Sequence, residues 1–145
     1  MSNNLIGNIV DWFKAAKPEP TSKDITTQIG CHYEEISEMD DALKAGCGEN
    51  ERVARLYKAA DSEEVEHHIN DIEHIELLDA ICDQIVTAVG VGYMMGFDVE
   101  GALKEVIRSN NSKMVDGKFI FDENGKITKP DSFSEPNLKP FLGDK

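Results

Sequence analysis

The sequence predicts an all-α fold of four or five helices, followed by a short extended or β-hairpin C-terminal tail. Three observations carry that reading. Apolar residues recur at helical spacing through successive segments as far as Asn111. The stretch from Ile75 to Gly96 is apolar around most of a helical wheel, the pattern of a helix at the centre of a domain. After Met114 the periodicity gives way to a Phe-Ile-Phe run between Asp116-Gly117 and Asn124-Gly125, the dipeptides of tight turns. At 145 residues and 40% hydrophobic content the chain is long enough for a real core. It divides on composition into an N-terminal helix and linker (1–20), a helical core (21–114) and a tail (115–145).

Taken in order, Asn4 to Ala16 forms a short amphipathic helix on Leu5, Ile6, Ile9, Val10 and Phe13, ended by the stiff Lys17-Pro18-Glu19-Pro20 linker. Its apolar face suits docking on the core or on a partner subunit better than on a membrane. Thr21 to Ala45 is a long helix with Thr21, Ser22 or Asp24 as its cap. Its expected core stripe is Ile25, Ile29, His32, Ile36, Met39 and Leu43, with Glu34 and Asp41 toward solvent and Gly46-Cys47-Gly48 as the stop. Asn50 to Ala60 is a shorter helix with Val53, Leu56 and Tyr57 inward. The acidic stretch from Asp61 to Asp71 is either a loop or the exposed start of the next helix. That helix ends at Gly96, and Asp98 caps another from Val99 to about Asn111.

The net charge of −13 argues against a general nucleic-acid binder, since no basic stripe offsets phosphate repulsion. A nucleotide that arrives with its own metal is not excluded by that charge. Cys31, Cys47 and Cys82 are odd in number and two of them sit in helical patterns, which suggests reduced thiols and a cytoplasmic setting. The first residues lack a basic region and a cleavage site, so no signal peptide is expected. Asp79, Asp83 and Gln84 make membrane spanning by the apolar helix a poor reading.

Two acidic stripes and one basic cluster carry the chemistry. Glu76, Asp79 and Asp83 fall in one narrow stripe of an otherwise apolar helix, where carboxylates repel one another and resist desolvation. Glu34-Glu35-Ile36-Ser37-Glu38 places Glu35 and Glu38 on adjacent turns of the earlier helix. Two such helices packed antiparallel would make an oxygen-rich site suited to Mg²⁺ or Mn²⁺. The rival is a histidine-bound transition metal, with Glu64 and His67 as one E-x-x-H and Asp71 to His74 as a near-match. Arg108, Asn110 and Lys113, in the run RSNNSK, either complement a helix C-terminus or clamp a phosphate.

With EEISE at 34–38, DAICDQIVTAVG at 79–90 and RSNNSK at 108–113 in this order, the chain resembles the MazG-like all-α nucleoside triphosphate pyrophosphohydrolases over about residues 21–138. This group includes dimeric dUTPases and phosphoribosyl-ATP pyrophosphohydrolase, and its bacterial and phage branch carries a similar tail. The resemblance implies Mg²⁺-dependent cleavage of an NTP or dNTP between the α- and β-phosphates. It implies Glu35 and Glu38 as metal ligands, with Glu34 as a further ligand or the group that orients water. Asp83 would be the aspartate of the second motif, with Ala80 where the family's E-x-x-D has glutamate. Asp79 lies on the same face, and a literal E-x-x-D stands at Glu76 to Asp79, so both registers are open. Arg108, Asn110 and Lys113 would meet the phosphates, in a homodimer or homotetramer. A non-catalytic helical module that binds a partner is the alternative, and a di-iron carboxylate protein a further one.

Overall fold

The computed structural model describes residues 4–42, 48–60, 62–123 and 125–143. The fold is all-α with a small two-stranded tail: α1 (Leu5–Ala16), α2 (Ser22–Ala42), α3 (Glu49–Ala59), α4 (Ser62–Asn70), α5 (His74–Met94), α6 (Val99–Asn111), β1 (Met114–Val115), β2 (Lys118–Phe119) and a closing 3-10 turn, Lys139–Phe141. These elements form two compact units. One joins residues 1–18 to 74–145, and the other is residues 19–73.

In the unit of α2, α3 and α4, the first helix opens on a reciprocal cap. Thr21 donates its backbone N–H and its hydroxyl to Asp24 Oδ2 at 2.9 and 2.7 Å, and Asp24 N–H returns to Thr21 Oγ1 at 3.2 Å. Of the three expected caps, Thr21 is therefore the one used. The packing face of α2 is rotated by one residue from the apolar stripe. Thr26 and Gly30 are buried, whereas Ile25 and His32 are exposed. The cause is close approach: a Cβ on Gly30 would stand 2.9 Å from the Ala54 carbonyl oxygen, and Ala54 is itself buried. Small residues set the α2–α3 crossing, and one residue of helix is a rotation of about 100°. His32 is thus not the core histidine the stripe suggests. Leu56 of α3 likewise points out, at 58% exposure, while Ala54 takes the inward position.

The same unit is tied at its helix ends. Lys23 Nζ donates to the carbonyls of Lys58 and Ala60 at 2.6 and 3.0 Å, which caps the C-terminus of α3. Tyr33 and Tyr57 stack with ring centroids 6.1 Å apart, and Tyr57 OH meets His68 Nε2 of α4 at 3.1 Å. The acidic stretch is a helix of its own, α4, held by the buried Val65. The expected stop at Gly46-Cys47 lies outside the described residues.

In the other unit, α5 ends as its sequence anticipates. Gly96 adopts φ 77°, and the Phe97 and Gly96 N–H groups donate back to the Gly92 and Tyr93 carbonyls, a Schellman closure. Asp98 caps α6 by accepting from Gly101 N–H at 2.9 Å. Gly92 is buried because α5 and α6 meet there, where a Cβ would land on Val99. Beyond α6, Asp116 and Gly117 both have positive φ and turn β1 into β2, with Met114 opposite Phe119. A further bridge pairs Phe121 with Ile127. Helix α1 docks on α6 and β2, with Trp12 edge-on to Phe119 at 5.1 Å between centroids.

Candidate functional site

The three sequence motifs are distributed over both units. Glu34, Glu35 and Glu38 lie on α2; Glu76, Asp79 and Asp83 lie on α5; Arg108 and Asn110 lie on α6, with Lys113 just past its end.

On α2, the rotation that buries Gly30 also turns Glu34 toward α3, where it pairs with Lys58 Nζ. The sequence places Glu34 further toward solvent, and the glycine contact corrects that. Glu35 is exposed, and the side chain of Glu38 lies outside the described residues. A carboxylate already paired with lysine is a poorer candidate for orienting water than the neighbouring Glu35.

On α5, Glu76, Asp79 and Asp83 do share a face, as i, i+3 and i+7 require. All three are exposed, and so are the apolar residues around them. The helix expected at the centre of a domain is therefore exposed along most of its length, its three carboxylates included. Thr87 sits one turn on, its hydroxyl donating to the Asp83 carbonyl at 2.8 Å. The donor set is chemically right for Mg²⁺, being hard carboxylate oxygen throughout. Among the described residues, no three His, Cys, Asp or Glu side chains converge on a common point that could hold a metal ion.

The basic cluster resolves into two roles. Arg108 is committed within the protein. Its Nε and one terminal nitrogen donate to the two oxygens of Glu105, both at 2.8 Å. The guanidinium also donates to Ser134 Oγ at 3.2 Å and to the Glu135 carbonyl at 3.1 Å. Glu105 Oε1 in turn accepts from Asn137 N–H at 2.9 Å. The Arg108 guanidinium, followed by the Asn137 N–H, holds the Glu105 carboxyl down to about 2. Arg108 thus straps the extended tail to α6, the local role that the sequence weighs against a phosphate clamp. Asn110 and Lys113 form the other part: Lys113 Nζ donates to Asn110 Oδ1 at 2.8 Å and lies 5.8 Å from the centre of the Phe133 ring. Lys129 Nζ is 4.9 Å from the same ring.

Sequence reasoning missed Glu105, although a carboxylate three residues before Arg108 on a helix is a signal it could have used. It also missed a cleft of about 270 Å³ between α1, α6 and the hairpin, lined in part by Trp12, Ile107, Asn111, Met114 and Phe119. The indole N–H of Trp12 is buried there with no hydrogen-bond partner among the described residues. Of the histidine motif, His67 is exposed and His68 meets Tyr57, while the side chain of Glu64 lies outside the described residues. No helix among the described residues is long and apolar enough to cross a membrane. No protein-family model, curated protein or solved structure matches the chain.

Proposed function

We propose that the chain is a Mg²⁺-dependent nucleoside triphosphate pyrophosphohydrolase that cleaves an NTP or dNTP to the monophosphate and pyrophosphate. The observation that supports it most is the exposed stripe of Glu76, Asp79 and Asp83, three hard donors on consecutive turns of an apolar helix. On α5 the candidate metal donors are Asp83 and Asp79, with Glu76 the outermost of the stripe; on α2 they are Glu35 and Glu38. The metal would neutralise phosphate charge and lower the pKa of a bound water. Glu35 is the carboxylate left to orient that water, since Glu34 is paired with Lys58. Lys113, positioned by Asn110 Oδ1, would meet the phosphate oxygens. A homodimer or homotetramer in the cytoplasm belongs to the same reading.

The test is pyrophosphate release from a panel of NTPs and dNTPs with Mg²⁺. Wild type should hydrolyse at least one, and Glu38→Ala and Asp83→Asn should each lose at least ~100-fold, because even outer partners of a metal ligand are worth about 10–100-fold. One structural feature favours a second reading: the exposed apolar surface of α5 suits a protein partner. Wild type and Glu38→Ala equally inactive on every nucleotide would favour that non-catalytic binding module instead.

A further inference from the structure

We infer that the cleft between α1, α6 and the hairpin is a nucleobase subsite, suited to a base that presents an amino edge, guanine above all. Its walls come from two helix faces and one strand pair. Asn8, Asp11, Trp12 and Ala15 stand at i, i+3, i+4 and i+7 on one face of α1. Ile107 and Asn111 are one turn apart on α6. Met114 and Phe119 are paired across the hairpin, so both project from the same side of it. Every one of these residues belongs to the unit of residues 1–18 and 74–145, so the cavity is complete within that unit.

Size and lining suit a flat ring. The cleft holds about 270 Å³, just below the ~300–1,000 Å³ of sites that take whole drug-sized molecules. That is room for one planar ring system rather than a complete nucleotide. Trp12 and Phe119 meet edge-on, with centroids 5.1 Å apart, and Met114 adds a polarisable thioether beside them. Aromatic surfaces of this kind accept the face of a base. The space exists because two positions of the α1 face are small: Ala15 contributes a methyl group and Asn8 a short amide. A loose apolar contact would leave no polar group wanting, yet the Trp12 indole N–H is buried without a partner among the described residues. A buried donor of that kind calls for an acceptor, and the carbonyl or ring nitrogen of a base is one.

The polar groups then select among bases. Asp11 pairs with Lys14 at 3.8 Å, too long for a hydrogen bond, so its carboxylate keeps acceptor capacity for a ligand. A carboxylate accepts from amino and ring N–H groups and is repelled by carbonyl oxygens. Guanine presents a ring N–H and an amino group side by side, a match for both carboxylate oxygens. Adenine and cytosine present one amino group beside a bare ring nitrogen. Uracil and thymine present one N–H between two carbonyls. Asn111, with a donor and an acceptor on one amide, fits any of them. Lys113, whose Nζ donates to Asn110 Oδ1 at 2.8 Å, lies between Asn111 and Met114 in the chain. Neighbouring Cα atoms are about 3.8 Å apart, so one nucleotide can reach both the cleft and this lysine. The subsite rests on the proposed hydrolysis for its place in a substrate, whereas binding of the base alone does not require it.

Trp12 is the single tryptophan, so its fluorescence reports on the cleft directly. The test is titration of the full chain with guanosine, adenosine, cytidine, uridine and thymidine, without Mg²⁺ and with excitation at the red edge of indole absorption. Guanosine should quench Trp12 at least about tenfold more tightly than uridine or thymidine, the step expected for a charge-assisted pair. Asp11→Asn should cost guanosine about the same tenfold and leave uridine unchanged. Ala15→Phe, which fills the cleft, should abolish the response while circular dichroism shows intact helices. Asp11 is exposed, so its variant keeps the test decisive even where Ala15→Phe fails to fold. No response to any nucleoside at millimolar concentration, or unchanged quenching in a helical Ala15→Phe chain, overturns the subsite. Uridine binding as tightly as guanosine overturns Asp11 as the group that reads the base. Nucleosides carry no phosphate, which separates this outcome from that of the hydrolysis. Guanosine binding without pyrophosphate release from any nucleotide would sink the hydrolysis alone. Pyrophosphate release whose base preference survives Asp11→Asn would sink the base subsite alone.

Discussion

Three glycines inside helices should respond to alanine in different ways, and the structure sets the order. Glycine in a helix interior costs about 1 kcal/mol relative to alanine, so alanine at an unobstructed position should stabilise by up to ~1 kcal/mol. Gly90 is such a position, since a Cβ there meets nothing within 4 Å. At Gly92, two residues on, a Cβ lands on Val99, a β-branched side chain with one favoured rotamer in a helix. Overpacking of that kind costs about 1–3 kcal/mol. Gly92→Ala should therefore fall ~1–3 kcal/mol below Gly90→Ala on the same helix. At Gly30 the obstacles are Lys58 Cγ at 2.7 Å and the Ala54 carbonyl oxygen at 2.9 Å. The lysine stem can swing aside, but the carbonyl moves only with α3, so Gly30→Ala should also destabilise by about 1–2 kcal/mol net. Urea unfolding separates the two units conveniently. Trp12, the single tryptophan, reports the unit holding α5 and α6, and circular dichroism reports α2 and α3 as well. A Gly92→Ala protein as stable as Gly90→Ala would refute the close packing of α5 on α6.

Two further outcomes follow from the charges. Because the Glu105 carboxyl is held at about 2, below its ordinary value near 4.3, tail docking should be at full strength above about pH 4.3 and lost as the pH falls through about 2. Hydrogen exchange at the Asn137 amide reads this directly, and Glu105→Gln should abolish the pH dependence; an Asn137 amide unprotected at pH 6 would refute the strap. If Mg²⁺ binds the folded acidic stripe, a concentration ten times its Kd adds about 1.4 kcal/mol, roughly 3–6 °C in Tm. Asp83→Asn should remove the shift, and a wild-type Tm indifferent to millimolar Mg²⁺ would count against a preformed site.

Much of the fold is legible because its signals are local. The cap at Asp98, the Gly96 closure and the Asp116-Gly117 turn each depend on a few adjacent residues whose conformational preferences outweigh distant context. The end of α5 and the start of α6 follow from the same punctuation. Helix faces do not. On α2 the apolar periodicity points to Ile25, Ile29 and His32, yet Thr26 and Gly30 are what the fold buries. Gly30 lets the α3 backbone approach closely, and that contact outweighs the alternative of burying a larger residue at a greater helix separation. The displacement of Glu34 onto Lys58 is the direct consequence, since it sits one turn beyond Gly30.

The candidate site shows the same limit at larger scale. An apolar helix with one acidic stripe is consistent with burial inside a domain or with burial against another copy, and periodicity is identical in the two cases. Exposure of Ile75, Val86 and Tyr93 shows that the core of its own unit does not bury this face of α5, and only three-dimensional placement supplies that. Arg108 makes a parallel point on the basic side. A guanidinium near a helix C-terminus reads equally as a phosphate clamp or as a local strut, and the carboxylate at i−3 together with the returning tail supplies the partners of the strut. The residue types identify the chemistry available. Which residues remain free to perform it depends on the partners that folding gives them: Glu34 and Arg108 are both occupied, whereas Glu35, Asp79 and Asp83 stay exposed to solvent on their helices.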